Sequence, residues 1–584
     1  LRSAAAEART ILLEMAAERL QLPKEDLKIE NGVIFPDKNA GTFLTFAQLA
    51  RGQKITRKLE QKAVIRTAAE FTVIGTSPLQ IDGRDKITGA TKYTGDFLFP
   101  DMLHGRVLHP PAHRATLKSV DTSAAEKIPG VTVIKEKDLI AVVHPDRETA
   151  EKARRSIKAE YEIPNETVDD KNIFSHLIEK APSPQHLERK GELSEGEKEA
   201  VSVFEQTYLN GYGAHAPIET HTAVARMEGE RMTVWLSTQT PFLAQPQIAA
   251  AINMPSRNVR IITPHVGGGF GGKGVTLESI EAARLAKITG KPVMVSLTRE
   301  EEFFYDAFRP AAIVKIKSGI DRAGKMCLWD YQVYFAGSRS AEQFYDVPHN
   351  LMRTYGGWMM DQSGAHPFAI GAWRAPGANI NVFARESQID IMAAALKMDP
   401  LEFRLKNTSD PRMRRVLEEA AKRFGYEPAP APSGRGIGIA CAIDAGTYVA
   451  EIAHVTIDNG NVAVKRIVAA QDMGVSVNPL GSILQMEGCI MMGLGYALSE
   501  DISFRGGRIF TTGFHNYRIP RFSWLPEIDA FLVKNDGLDP QGGGEPAICP
   551  VGGAIANAIF DAAGIRVFQM PITPERITGA DQKG

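Results

Sequence analysis

A run of five glycines in seven residues, GGGFGGK at 267–273, restricts the fold more than any other feature of the chain. It lies between an apolar segment typical of a strand, 259–262, and a helical pattern at 277–286. Backbone without side chains can turn sharply there, and its amides can approach a bound group closely. The run therefore indicates either a ligand-binding turn or a purely structural one.

The same run also fits a nucleotide-binding pattern, because Gly267, Gly269 and Gly272 satisfy GxGxxG and a second strand pattern follows at 293–297. The span from the first strand to the acids at 300–301 exceeds the roughly 30-residue dinucleotide fingerprint. Gly274 stands where a P-loop carries its magnesium-binding Ser or Thr. A nicotinamide-dependent dehydrogenase nevertheless remains an alternative at this point.

The second run is GAWRAPG at 371–377, in which Arg374 lies between Trp373 and Ala375 with Pro376 restricting the backbone. An Arg so placed can donate several hydrogen bonds to an oxygen-rich ligand. A surface ion pair on a loop is the alternative.

The third run, GGGEP at 542–546, leads into an apolar helical pattern at 551–562. Pro546 disfavours helix at Glu545, so the carboxylate is expected on extended or turning backbone just before the helix. We expect it to be poorly solvated among small and apolar residues, a condition that favours general-base chemistry. An ordinary structural acid is the alternative.

Charge and cysteine usage exclude several classes of function. The chain has 584 residues, with 68 Lys and Arg against 69 Asp and Glu, so no overall field attracts nucleic acid. No apolar run approaches the roughly 20 residues of a membrane-spanning helix. The cysteines Cys327, Cys441, Cys489 and Cys549 are too dispersed for an iron-sulfur cluster, and the histidines show no ligand spacing. We therefore expect no metal ligands in the chain and a redox metal, if any, inside an organic cofactor.

The order of elements predicts several segments. A helix is expected from about Ile11 to Leu20, followed by a hairpin around Asn31 and Gly32. An α/β module is expected at 71–164, a polar linker at 183–199, a Pro/Ala connector at 427–435 and a hairpin around 459–460.

Taken in order, these runs resemble the molybdenum-binding large subunit of the xanthine dehydrogenase and aldehyde oxidase family of molybdenum hydroxylases. Further motifs carry the resemblance: IGTSPLQIDGRDKITGATKYTGDF at 74–97, PGVTV at 129–133, YGAHAPIETHTAVA at 212–225, STQTP at 237–241 and DMGVSVNPLGSILQMEGCIMMGLGYAL at 472–498. The resemblance implies an α+β fold with an α/β hammerhead domain and two mixed α/β molybdopterin-binding domains. The implied boundaries are 1–70 for the tail of a permuted molybdopterin-binding domain, 71–185 for the hammerhead domain, and 200–426 and 436–584 for the first and second molybdopterin-binding parts.

The resemblance also implies a cofactor site. Molybdenum-molybdopterin, in its cytosine dinucleotide form, would contact a set of glycine-loop, WRAPG and helix residues, namely Gly268, Gly269, Phe270, Gly271, Arg374, Ala375 and Gln485. Glu545 occupies the position of the catalytic base, and no side chain would ligate the metal. The implied reaction is hydroxylation of an aldehyde or N-heterocycle with oxygen from water, with electrons leaving through a separate small [2Fe-2S] subunit.

Three departures from the family pattern shape the expectation. Gly274 replaces a substrate-positioning Glu, which makes purine recognition doubtful, and Gly213 replaces a Gln near the apical metal oxygen. A GQG-bearing segment is missing. Residues from Leu1 to about Leu59 resemble the tail that precedes the hammerhead domain in the isoquinoline 1-oxidoreductase type, so we expect the missing part on another polypeptide or in an absent N-terminal region. A non-catalytic family subunit is the second alternative, and a cytoplasmic location is expected, or a periplasmic one if that region directs export.

Overall fold

The structure is a computed structural model that describes residues 1–37, 42–52, 54–56, 62–165, 167–359 and 364–581. Two compact units are present, Leu1–Thr76 and a second that begins at Ser77. Helices and strands are mixed in both units, which confirms the predicted α+β class.

In chain order the strands β1 to β24 are Leu27–Glu30, Val33–Pro36, Leu44–Thr45, Leu103–Val107, Thr116–Asp121, Thr132–Glu136, Leu139–His144, Lys158–Glu162, Gln185–Lys190, Ser202–Asn210, Thr222–Glu228, Arg231–Leu236, Val259–Ile262, Val293–Ser296, Ala312–Ile320, Met326–Tyr334, His349–Tyr355, Ile437–Asp444, Thr447–Asp458, Asn461–Asp472, Phe504–Arg505, Arg508–Ile509, Glu527–Leu532 and Gln569–Met570.

The helices α1 to α16 are Arg2–Leu20, Phe46–Ala50, Gly83–Thr88, Ser123–Glu126, Arg147–Ser156, Ile173–Lys180, Leu193–Glu199, Pro241–Ala251, Leu277–Thr289, Arg299–Tyr305, Ala378–Ala395, Pro400–Lys406, Pro411–Phe424, Pro479–Leu498, Val551–Ala563 and Pro574–Asp581.

The first unit consists of α1, α2 and the sheet β1-β2-β3 around a small core that includes Ala16 and Ile34. The predicted helix and hairpin are both confirmed. Asn31 and Gly32 have φ of 49° and 79°, the left-handed values that a tight two-residue hairpin turn requires. Leu59, where the sequence places the end of this segment, lies outside the described residues.

A seven-stranded sheet with the order β13-β12-β11-β14-β4-β7-β6 carries the glycine loop, which connects β13 to α9. Apolar side chains of α8 and α9, such as Ile248 and Leu285, pack in its core. The strands β13 and β14 on either side of α9 are separated by β12 and β11 rather than adjacent. The compact βαβ unit of a dinucleotide site needs neighbouring parallel strands, so the nicotinamide interpretation is wrong for this run.

The polar segment 183–199 is not a linker, and that expectation is wrong. Gln185–Lys190 forms β9, the edge strand of the sheet β24-β10-β15-β16-β17-β9, and Leu193–Glu199 forms α7. An edge strand exposed to water is stabilised by its backbone pairing with β17 and needs few apolar side chains. The second predicted hairpin, β19 to β20 around Asn459 and Gly460, is confirmed.

The largest core includes the four-stranded sheet β18-β19-β20-β23 and the helices α11, α13 and α15 that pack against it, and it extends to β10 and β15, which α11 also contacts. The expectation that no apolar run is long enough to span a membrane is wrong by length and composition, because among the described residues one stretch, Pro546–Ala563, passes that test. However, 83% of this stretch is buried inside the protein. Packing of this helix against β18 explains its apolar composition, and it sets the position of the GGGEP run directly before it.

Candidate active site

Arg374 lies where four segments of the chain meet. Its backbone N–H donates to the Phe270 carbonyl oxygen at 2.9 Å. Its guanidinium Nη2 donates to the Gly544 carbonyl oxygen at 2.6 Å and to Oε1 of Gln485, on α14, at 2.9 Å. The structure thus brings together the glycine loop, the WRAPG run, α14 and the GGGEP run, which are far apart in sequence.

The glycine loop has the backbone that its composition predicts. Gly268, Phe270 and Gly271 have φ of 91°, 54° and 116°. A Cβ on Gly271 would overlap the Ala372 carbonyl oxygen, and the Gly271 N–H donates to Oε1 of Gln239 at 3.1 Å. Glycine is therefore required here both by φ and by close backbone approach.

Glu219 and Lys273 fix the two ends of this loop. Oε2 of Glu219 accepts from the Gly267 N–H at 2.6 Å and from Nζ of Lys273 at 2.6 Å. The Lys273 side chain is fully buried, so this lysine is a structural ion-pair partner rather than a phosphate ligand.

Two buried histidines contact the backbone of the glycine loop and of the WRAPG run. Nδ1 of His221 lies 2.9 Å from Oε1 of Glu302, and its Nε2 lies 3.3 Å from the Gly272 carbonyl oxygen. Although burial favours the neutral ring, the Glu302 carboxylate raises the pKa of His221 to about 9. His215 similarly pairs with Asp306 at 2.7 Å. Each ring has a carboxylate on one side and loop or WRAPG backbone on the other, so both histidines position the site and do not form a ligand set.

Glu545 lies beside Arg374 on turning backbone, as predicted from Pro546. Its Oε1 accepts from the Ala375 N–H at 3.2 Å, and its Oε2 accepts from Nη2 of Arg339 at 2.5 Å. The side chain is 39% exposed. The expectation of a poorly solvated carboxylate in apolar surroundings is therefore wrong, because a guanidinium and water face the group that the sequence places among small residues.

The residues around Arg374 fit a large oxygen-rich and nitrogen-rich cofactor. A Cβ on Gly544 would meet nothing within 4 Å, and one on Gly488 would meet only Nη1 of Arg374, at 3.8 Å. Arg374 is partly exposed, and within the described residues its Nη1 has no hydrogen-bond partner. A glycine-lined surface next to a free guanidinium N–H suits a planar ligand that accepts hydrogen bonds.

A metal bound only by protein side chains has no candidate site in the described part of the chain. Within it, no group of three or more His, Cys, Asp or Glu side chains is placed to hold a metal ion. The four cysteines are all buried as free thiols.

Two of the departures from the family pattern are glycines, Gly213 and Gly274. The structure explains the first and leaves space for a side chain at the second. A Cβ on Gly213 would lie 3.0 Å from Cζ and Nη2 of the buried Arg309, so the guanidinium occupies the space of a side chain at 213. A Cβ on Gly274 would meet atoms only at 3.9 Å. A side chain at 213 would therefore have to displace the Arg309 guanidinium slightly, whereas one at 274 would make only ordinary contacts.

Sequence reasoning missed Arg339 and Asp444. Arg339 is 206 residues from Glu545 and 105 from Asp444, and no motif marks either residue. Sequence reasoning could have predicted Gln239, because it lies inside the STQTP run that contributes to the resemblance.

Comparisons with known proteins identify the domains of this chain. Two profiles described as molybdopterin cofactor-binding domain match residues 177–408 and 441–526. The chain is 31% identical to a nicotinate dehydrogenase subunit of Pseudomonas putida, over 99% of this chain and 52% of that protein. It is 25% identical to the beta subunit of isoquinoline 1-oxidoreductase of Brevundimonas diminuta, over 98% of this chain and 81% of that protein. The chain therefore spans about half the length of the first relative.

The fold has a solved counterpart in quinoline 2-oxidoreductase from Pseudomonas putida 86, with a TM-score of 0.77 and 18% identity over 88% of this chain and 98% of that one. The two matched domains define a molybdopterin-binding polypeptide. The chain belongs to the xanthine dehydrogenase and aldehyde oxidase family of molybdenum hydroxylases. Gly268 to Gly271, Arg374, Ala375 and Gln485 fall within the matched ranges, whereas Glu545 lies beyond them.

Proposed function

We propose that the chain is the molybdenum-cofactor subunit of an oxidoreductase that hydroxylates an N-heterocycle or an aldehyde. The observation that carries the proposal is the convergence of Arg374, Gln485 and the glycine loop beside a hydrogen-bonded, accessible Glu545. Among relatives that align over nearly the whole chain, two are named for nicotinate and isoquinoline and one as an aldehyde dehydrogenase. The nicotinate relative has the highest identity of the three, 31% against 25%, which favours the heterocycle.

Each segment has a distinct role in this proposal. Arg374 and Gln485 bind the pterin through charge-assisted and amide hydrogen bonds, while Gly268, Gly269, Phe270, Gly271 and Ala375 offer backbone at close range. When bound, the molybdenum cofactor supplies two-electron redox chemistry by which a substrate C–H becomes C–OH with oxygen from water. Glu545 accepts a proton from that water-derived oxygen, and the reaction releases two protons and two electrons in all.

The electrons require an acceptor, and we propose a separate small [2Fe-2S] subunit. We further propose the cytosine dinucleotide form of the cofactor, a second polypeptide segment that completes the pterin site, and a cytoplasmic or periplasmic location. The family membership and the dispersed, buried cysteines support the separate [2Fe-2S] subunit. Each is open to direct assay by cofactor extraction, co-purification and fractionation.

The test combines metal analysis with turnover. The chain is co-expressed with candidate partner polypeptides, molybdenum per protein is measured, and nicotinate, isoquinoline, quinoline and simple aldehydes are supplied with a dye acceptor in ¹⁸O-labelled water. The proposal predicts near-stoichiometric molybdenum and ¹⁸O in a hydroxylated product. Full molybdenum without turnover on any of these classes would support a non-catalytic role instead.

A further inference from the structure

Arg339 links the carboxylate of Glu545 to a second, buried carboxylate. The residue lies in the loop between β16 and β17. Its Nε and Nη2 donate to the two oxygens of Asp444 at 2.7 and 2.8 Å, and the same Nη2 donates to Oε2 of Glu545 at 2.5 Å. One guanidinium is thus shared by two carboxylates.

Asp444 is a rigid anchor for this guanidinium. Its side chain is fully buried, and Oδ1 also accepts from the Ser340 hydroxyl at 3.1 Å. It ends β18 at the turn into β19, where Ala445 and Gly446 have φ of 48° and 77°. A bidentate pair with a buried carboxylate fixes the plane of the guanidinium as well as its position.

The same turn also holds the loop that carries Glu545. The Gly542 N–H donates to the Ala445 carbonyl oxygen at 3.2 Å, and the Thr447 hydroxyl donates to the Gly542 carbonyl oxygen at 2.5 Å. The hairpin tip between β18 and β19 therefore fixes the backbone before Glu545 directly and fixes its Oε2 through Arg339. The other oxygen, Oε1, is held by the Ala375 N–H in the WRAPG run.

We propose that Arg339, held by Asp444, is the positioning residue for Glu545: it fixes the carboxylate without neutralising it. The charges support this role. Asp444 already balances the guanidinium, so the three groups carry a net charge of about −1 with Glu545 ionised and about zero once Glu545 has taken a proton. Once Glu545 has taken a proton, the remaining Arg339–Asp444 pair is electrically balanced. Without Asp444, Arg339 would hold Glu545 as its sole counter-ion. The inference rests on the proposed role of Glu545 as base.

The two members of the clamp, Arg339 and Asp444, can be tested because their removal acts in opposite directions. Arg339→Gln removes the cation that pairs with Oε2 of Glu545, whereas Asp444→Asn leaves Arg339 to pair with Glu545 alone. Carbodiimide coupling to glycine ethyl ester reports this, because carbodiimide reacts with the protonated carboxyl group. The rate of labelling at Glu545 is followed by peptide mass spectrometry at pH 6 on the purified protein at matched molybdenum content, with Arg423→Gln, an exposed arginine paired to Asp529, as control.

The proposal predicts labelling about tenfold faster in Arg339→Gln and slower in Asp444→Asn, with the Arg423→Gln control unchanged. Turnover per molybdenum falls in both clamp variants through kcat while KM stays within about threefold, and guanidinium ion restores part of the activity of Arg339→Ala. Labelling that rises in both variants, as general loosening would cause, or that changes less than twofold in Arg339→Gln overturns the proposal. Arg339→Gln decides alone if Asp444→Asn does not fold.

This readout is separate from the proposed function. If labelling responds as predicted but Glu545→Gln still turns over substrate, the clamp exists and the assignment of the base fails. If Glu545→Gln is inactive but labelling does not respond, the base stands and the clamp fails.

Discussion

The Nη2 atom of Arg374 lies 2.6 Å from the carbonyl oxygen of Gly544, the residue directly before Glu545. This hydrogen bond ties the WRAPG run to the GGGEP run, and through Oε1 of Gln485 the same nitrogen also ties both to α14. The side chain that would bind the cofactor therefore also sets the position of the residue that would act as base.

Arg374→Lys is expected to lose cofactor. A lysine keeps the charge but cannot present a planar set of donors to Gln485, Gly544 and a ligand together. Hydrogen bonds to charged groups contribute about 1.5–3 kcal/mol each, so cofactor retention should fall by roughly tenfold to a hundredfold. Molybdenum per protein measures the effect, and Arg423→Lys, exposed and paired with Asp529, serves as the control. Equal molybdenum in wild type and Arg374→Lys would show that this guanidinium does not hold the cofactor.

The two unusual glycines should respond differently to a side chain. Gly213→Gln places a Cβ 3.0 Å from the guanidinium of Arg309, which is buried over the rings of Trp373 and Tyr496. Overpacking of this kind costs about 1–3 kcal/mol. The Cβ of Gly274→Gln meets atoms only at the ordinary contact distance of 3.9 Å, so this variant should change stability by less than about 0.5 kcal/mol. Thermal unfolding of both variants measures the difference in stability. A larger loss of Tm in Gly274→Gln than in Gly213→Gln would contradict the prediction.

Much of this site follows from the sequence, and the rest depends on long-range packing. The glycine loop, Arg374, Gln485 and Glu545 sit in short runs whose backbone demands are local, so residue types alone indicate where the chain turns. Arg339 and Asp444 carry no local signal, because one lies in a loop and the other at a hairpin tip, and only the fold brings them together. The sequence wrongly predicts a poorly solvated Glu545 for the same reason, because the charged neighbour Arg339 is 206 residues away.

The edge strand β9 shows a second limit of sequence reasoning. Its residues are almost all exposed, and the alternation that marks a half-buried strand is absent. The backbone hydrogen bonds with β17 stabilise it, and these leave no trace in side-chain composition.

Burial of Glu278 predicts a pH dependence of stability. This side chain, on α9 just after the glycine loop, is fully buried, and neither of its carboxyl oxygens has a hydrogen-bond partner among the described residues. Burial raises the pKa of Glu278 to about 7 from an ordinary 4.5, opposed by nearby His221 and reinforced by Glu302 and Glu281. The folded state therefore holds a proton that the unfolded state releases, and this contribution to stability is lost as pH rises from about 4.5 to about 7.

Glu278→Gln removes that titration. The variant should gain up to about 3 kcal/mol relative to wild type between pH 5 and pH 8, with a nearly constant difference above pH 8. The measurement is the Tm difference between the two proteins across this range, with the exposed Glu418→Gln as control. A difference that does not grow with pH would contradict the assignment.

The most direct test of the whole account is Glu545→Gln, with kcat normalised to bound molybdenum. Gln retains the volume and an oxygen for the Ala375 N–H but cannot accept a proton, so molybdenum content should stay at the wild-type level while kcat falls by about 10² to 10⁴. Glu527→Gln, an exposed ion-paired glutamate, should leave both unchanged. Turnover of Glu545→Gln within about tenfold of wild type at full molybdenum would contradict the account.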